Sequence, residues 1–162
     1  MIEAVWGNRW MMLASVLLAL LLAVYPLPGV GPWMRPEFVV LLAIYWVMVL
    51  PQAAGPGLIW LVGLFQDVVE GAVLGQHAFA LVVIAYICQL SYQRLRNYAL
   101  WQQAGLVFVL VGIHQLLGNW VYSLSGGTSK SLLFLLPAFT SALCWPLLVV
   151  GMNRLRFHYR LL

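Results

Sequence analysis

The chain of 162 residues contains only four acids, Glu3, Glu37, Asp67 and Glu70, and two of them stand three residues apart in an otherwise apolar stretch. At that spacing in a helix, Asp67 and Glu70 lie on neighbouring parts of one face. An ionised carboxylate near the middle of a membrane span costs about 2.5 to 3.5 kcal/mol on the insertion scale, so it marks a candidate site. Three roles fit it: a structural polar contact with a neighbouring span, a proton or ion path, or a contact with a partner. A second polar group, His114, Gln115 and Asn119, interrupts another apolar stretch. In lipid such groups need partners, which turns them towards the bundle interior and towards Asp67. A lone membrane histidine can relay protons but more often is a hydrogen-bonded packing residue. His77 and His158 fall at helix ends and carry little information.

No nucleophile–base pair, phosphate loop, HExxH, zinc pattern or aspartate-rich magnesium motif accompanies these acids. The sequence reads as a non-enzyme, with no metal and no cofactor expected. Cys88 and Cys144 fall inside apolar spans, where cysteine is a small filler rather than a disulfide partner. Gly63, Asp67, Gly71 and Gly75 recur every four residues. One turn apart, small residues make a smooth stripe that lets another helix approach closely, either within the bundle or from a partner.

The elements that must position these residues follow from composition. Apolar residues make up 64% of the chain and charged ones 7%, against about 25% charged in an ordinary soluble domain. Twelve charged side chains cannot coat a soluble domain of this length. That excludes a soluble monomer and a disordered protein, and a count of two cysteines excludes a disulfide scaffold. The expected class is an all-α integral membrane protein, a single polytopic domain over residues 1–162. The net charge of +4 comes from arginines clustered in one connection and in the tail. Those are positions for topology signals, not for a nucleic-acid surface.

Six spans are predicted: Trp10–Tyr25, closed by Pro26-Leu27-Pro28-Gly29; Phe38–Leu50; Gly57–Leu74; His77–Tyr92; Ala99–Leu124; and Leu132–Met152, with kinks at Pro137 and Pro146. The first is read as a retained helix, since no small-x-small cleavage site follows it. Span 2 is entered through Arg35-Pro36-Glu37, with Pro36 suited to a first helical turn and Glu37 complementing the positive helix end. It is short, about 21 Å against about 30 Å of hydrocarbon, so the helix is expected to run on through Gln52–Ala54 or the bilayer to thin around it. With both termini cytoplasmic, Arg9, Arg94, Arg96, Arg154, Arg156 and Arg160 lie inside, while Arg35 and Lys130 lie outside. A re-entrant span 3 would leave five spans and put the two basic segments on opposite faces. Trp6, Trp10, Trp33 and Trp101 fall near span ends, as an aromatic belt requires.

The stretch R-P-E-F-V-V-L-L-A-I-Y-W (Arg35–Trp46), followed by G-L-F-Q-D-V-V-E-G-A-V-L-G-Q-H-A (Gly63–Ala78) and R-N-Y-A-L-W-Q-Q (Arg96–Gln103), resembles the MreD family of bacterial rod shape-determining membrane proteins. The resemblance covers the whole chain in length, span pattern and short basic tail. Its specific part is the combination of Arg35-Pro36, Tyr45-Trp46 and the GxxxDxxxGxxLG block. His114, Gln115 and Asn119 match no family motif. The resemblance implies a scaffold of the elongation machinery in the cytoplasmic (inner) membrane, needed for rod shape and lateral peptidoglycan synthesis. It implies MreC as direct partner, with MreB, RodA and an elongation-specific transpeptidase in the same complex. It also implies a six-helix bundle similar to the substrate-binding subunits of energy-coupling-factor transporters. In that frame Arg35, Pro36, Gly63, Asp67, Glu70, Gly71 and Gly75 are the candidate partner-binding or structural residues. Arg35 is expected to pair mainly with Glu70. Asp67, about 12 Å below the outer end of its span, is expected to bond within the bundle or to a partner helix. The rival class is a small-molecule or ion binding or transport subunit that uses the same acids. Saturable solute binding would favour the rival, and co-purification with a single-span partner the scaffold.

Overall fold

A computed structural model describes residues 2–25, 31, 34–128 and 135–158, with side chains described from Arg9 onward. These residues form six helices and no strand: α1 (Ile2–Val24), α2 (Phe38–Val49), α3 (Pro56–Glu70), α4 (Gln76–Leu95), α5 (Leu100–Leu124) and α6 (Leu136–His158). The Pro26–Gly29 segment, Trp33, Lys130 and Arg160 lie outside the described residues. By length and composition α4, α5 and α6 are each able to cross a membrane, while α2 and the Arg9–Val24 part of α1 are shorter apolar helices.

Helix α2 is the centre. Every residue from Val39 to Met48 is buried, as expected of a helix that is apolar all round. α1, α4 and α6 pack around it. Its 12 residues rise about 18 Å, and it does not continue through Gln52–Ala54. Pro51 keeps the residue before it out of helical backbone. Leu50 sits at φ −132°, ψ 65°, and residues 51–54 turn instead. Ala54 is then buried, and its carbonyl accepts the Gln89 Nε2 hydrogen bond at 3.2 Å. On the other side Trp46 Nε1 donates to Ser15 Oγ at 2.9 Å, tying α2 to α1.

Helix α1 begins well before Trp10, because Arg9 interrupts the apolar run without interrupting the helix. Pro146 lies within α6, but Pro137 is the second residue of that helix. In a first turn the missing N–H costs nothing, so Pro137 is a starting residue and not a kink.

The polarity of the molecule is inverted. Leu21, Leu90 and Leu147 are 69%, 71% and 77% exposed, while Gln66, Asp67, Gln103, His114 and Ser141 are buried. Lipid tolerates that surface and water does not. The chain is a membrane protein whose polar groups are turned inward.

Candidate functional site

The buried polar groups gather at the end of the bundle where α3 and α5 finish and α4 and α6 begin. Helix α3 stops by a Schellman turn. Gly71 adopts φ 65°, its N–H bonds the Val68 carbonyl at 3.3 Å, and the Ala72 N–H bonds the Asp67 carbonyl at 2.9 Å. Left-handed backbone of this kind is cheap only for glycine. Gly75, at φ 94°, is the N-cap of α4. It has no side chain to satisfy the N–H groups that every helix start leaves open.

Asp67 supplies what Gly75 lacks. Its carboxylate accepts the backbone N–H of Gly75 and of His77, each at 2.8 Å, with the Ala78 N–H at 3.5 Å. A carboxylate on α3 thus caps α4, with its charge at the positive end of that helix. The ring Nδ1 of His77 lies 2.8 Å from the same carboxylate. An ionised carboxylate only accepts, so Nδ1 carries the hydrogen. Nε2 of His77 then faces Glu70 at 3.7 Å, and Glu70 accepts from Gln66 Nε2 at 2.9 Å.

This corrects the expected depth of Asp67. The residues after Glu70 are turn, not helix, so Asp67 lies one turn from the end of α3 and not deep within it. The glycine stripe is likewise divided. A Cβ on Gly63 would overlap the backbone of Ala78, so that glycine is where α3 and α4 close on each other. Gly71 and Gly75 meet nothing within 4 Å and serve the turn through their positive φ. Arg35 does not pair with Glu70. Its Nη2 donates to the Tyr25 carbonyl at 3.1 Å, while Glu70 is engaged by Gln66 and His77. Pro36 contributes a carbonyl that accepts the Phe38 N–H at 3.0 Å at the entry to α2.

Glu37 joins the cluster from the start of α2. Its backbone N–H donates to Ser141 Oγ at 2.8 Å, and its carboxylate accepts from Gln115 Nε2 at 2.6 Å. Helices α5 and α6 are thereby fixed to the α2 entry. His114 is 2% exposed, and its ring centroid stands 5.7 Å from that of His77. Among the described residues neither ring nitrogen of His114 has a hydrogen-bond partner, nor has Asn119 Oδ1. These groups, with Gln76 and Gln115, line a cavity of about 60 Å³. That is room for about two waters. Among the described residues no three His, Cys, Asp or Glu side chains converge as metal ligands.

The family model described as rod shape-determining protein MreD matches residues 7–155. The chain belongs to the MreD family. The rod shape-determining protein MreD of Haemophilus influenzae is 33% identical over 149 residues, which span 91% of this chain and 92% of that protein. No solved structure matches. The Gly63–Gly75 block, one part of the combination that carries the MreD resemblance, is the segment that ends α3 and caps α4. The trio without a family motif lines the adjoining cavity. Sequence reasoning missed His77, Glu37, Gln66 and Ser141. For His77 and Glu37 the available signal is a polar residue at a span entrance, and for Gln66 and Ser141 it is a polar residue inside an apolar run.

Proposed function

We propose that this rod shape-determining protein is a scaffold of the elongation machinery, needed for lateral peptidoglycan synthesis. In this reading it crosses the cytoplasmic membrane six times with both termini in the cytoplasm. Its direct partner is MreC, whose single span packs against the bundle, and MreB, RodA and the elongation-specific transpeptidase join the same assembly. The likeness to energy-coupling-factor substrate-binding subunits belongs to the same proposal. Arg35, Pro36, Gly63, Asp67, Glu70, Gly71 and Gly75 act structurally, holding the α2 entry and the α3–α4 hairpin in shape.

The observation that carries the docking reading is a crevice of about 250 Å³ between α1, α2 and α6, whose walls include Leu18, Leu42, Leu147 and Met152. Ser15 stands on the α1 side and the exposed Gly151 on the α6 side. Small residues at such positions let a foreign helix approach closely. Gly63, by contrast, already has α4 against it. Photo-crosslinkers at Leu18 and Leu147, with controls at the exposed Trp60 and Phe65 of α3, test the assignment. Adducts with MreC are expected from the first pair only. Adducts confined to α3 would move the dock, and failure to co-purify MreC at all would remove the scaffold reading.

The transport rival draws on one observation, the small polar cavity with its unpartnered His114 nitrogens. Saturable binding of a solute or cation by the purified protein, abolished by His114→Leu, would favour it.

A further inference from the structure

The opposite end of the bundle, where α2, α4 and α6 finish, holds a second and larger cavity of about 280 Å³. Arg96, at the C-terminal end of α4, and Arg156, in the last turn of α6, both line it. Between them stand Tyr45, Gln103, Trp145 and Asn153, and the remaining wall is methionine and valine. The polar wall is well braced. Gln103 Nε2 donates to the Leu95 and Tyr98 carbonyls, both at 3.1 Å, and its Oε1 accepts from Trp145 Nε1 at 3.1 Å. The Tyr45 hydroxyl donates to Asn153 Oδ1 at 2.8 Å and interacts with the Arg156 guanidinium. Engaging Asn153 through its oxygen leaves the amide hydrogens as donors.

Among the described residues no carboxylate lines this cavity. From Gly71 to the last residue the chain contains no Asp or Glu at all. The lining comes from the C-terminal ends of α2, α4 and α6 and the start of α5, so the helix dipoles leave about one negative charge there, less than the two guanidinium cations supply. Among the described side chains, this end carries Arg9, Arg94, Arg96, Arg154 and Arg156 and no acid. A topology signal requires cations near the interface, but it does not require two of them to converge on a braced pocket of hydrogen-bond donors.

We propose that this cavity binds a phosphate ester, with Arg96 and Arg156 contacting the phosphate oxygens and Asn153 donating beside them. Planar guanidinium forks suit phosphate in this way. At about 30 Å³ per water, the volume admits a phosphodiester with a small esterified group. The apolar part of the wall suits the glycerol and first methylenes of a lipid. The phosphate can come from an anionic phospholipid headgroup or from a soluble phosphate compound, and the two sources are separable.

The test uses the full-length protein purified in detergent, with native mass spectrometry reading adducts of phosphatidylglycerol, of phosphatidylcholine and of inorganic phosphate. A site for a lipid phosphate retains phosphatidylglycerol in preference to phosphatidylcholine, and inorganic phosphate displaces it weakly. A site for a soluble phosphate binds inorganic phosphate and shows no preference between the lipids. In either case the paired variant R96Q/R156Q should bind about tenfold more weakly or worse, the cost of losing charged hydrogen bonds. The variant R94Q/R154Q removes the same charge from the same end without touching the cavity, and it should bind as the wild type does. Equal loss in both variants would mean bulk charge attraction and would overturn the site. So would wild-type protein that neither prefers phosphatidylglycerol nor binds inorganic phosphate, a result that does not depend on any variant folding.

Discussion

Asp67 holds His77 twice, at the backbone N–H and at ring Nδ1, each at 2.8 Å. One carboxylate thereby fixes both the start of α4 and the orientation of the imidazole that faces Glu70. Asp67→Asn keeps an acceptor but loses the charge, and thermal unfolding in detergent should show a loss of about 1 to 2 kcal/mol. Asp67→Leu takes the acceptor from the Gly75 and His77 backbone N–H groups and from the His77 ring N–H, and should cost about 3 kcal/mol or more. If the role is polar packing, Asn supports rod growth and Leu does not. Asn failing as badly as Leu at normal protein levels, with MreC still bound, would point to ionisation and the transport rival.

Gly63 and Gly71 should respond differently to side-chain size. At Gly63 a methyl group meets the Ala78 backbone, so Gly63→Ala destabilises by about 1 to 3 kcal/mol and Gly63→Leu by more. At Gly71 the space is open and only the positive φ matters. Gly71→Ala and Gly71→Leu should cost about the same, about 1 to 2 kcal/mol. A graded series at Gly71, or none at Gly63, would contradict the division of the stripe.

The Glu37–Gln115 bond at 2.6 Å joins α2 to α5. A double-mutant cycle with Glu37→Ala and Gln115→Ala should give a coupling of about 1 kcal/mol or more, since the acceptor is a carboxylate. Additive effects would mean that the two helices are held by apolar packing alone.

Six crossings require the chain to change sides between Gly126 and its end. Reporter fusions within Gly126–Lys130 and at Leu162 should report opposite faces of the membrane. The same face for both would leave an even number of crossings between them and remove the topology.

Most of the helices were legible because lipid imposes long apolar runs, and short loops separate them. The boundaries were less legible. Gly71 and Gly75 continue a four-residue interval, and that interval reads equally well as a helix face or as two turn glycines. The backbone angle decides, and spacing does not encode it. Span order and the reach of its side chain point Arg35 to Glu70, but a nearby carbonyl and an amide satisfy the two groups separately. The polar site was visible in Asp67, Glu70 and the span 5 trio. It was incomplete because His77 and Glu37 stand at helix starts, where a polar residue is ordinary and its tertiary partner cannot be read from neighbours in sequence.

The burial of α2 on every side constrains the order in which the molecule can be made. Its surface from Val39 to Met48 is covered by helices on both sides of it in the chain, the last of them α6. During synthesis α2 emerges before α4 and α6, yet its sheath is completed only when α6 arrives. At about 18 Å it is too short to rest comfortably alone in lipid. A nascent chain stopped before α6 would therefore present a short helix with Tyr45 still lacking Asn153. Membrane proteases that survey incomplete chains have there a physical mark separating an unfinished molecule from a finished one. Versions truncated after α5 should disappear from the membrane faster than full-length variants with single substitutions in α6.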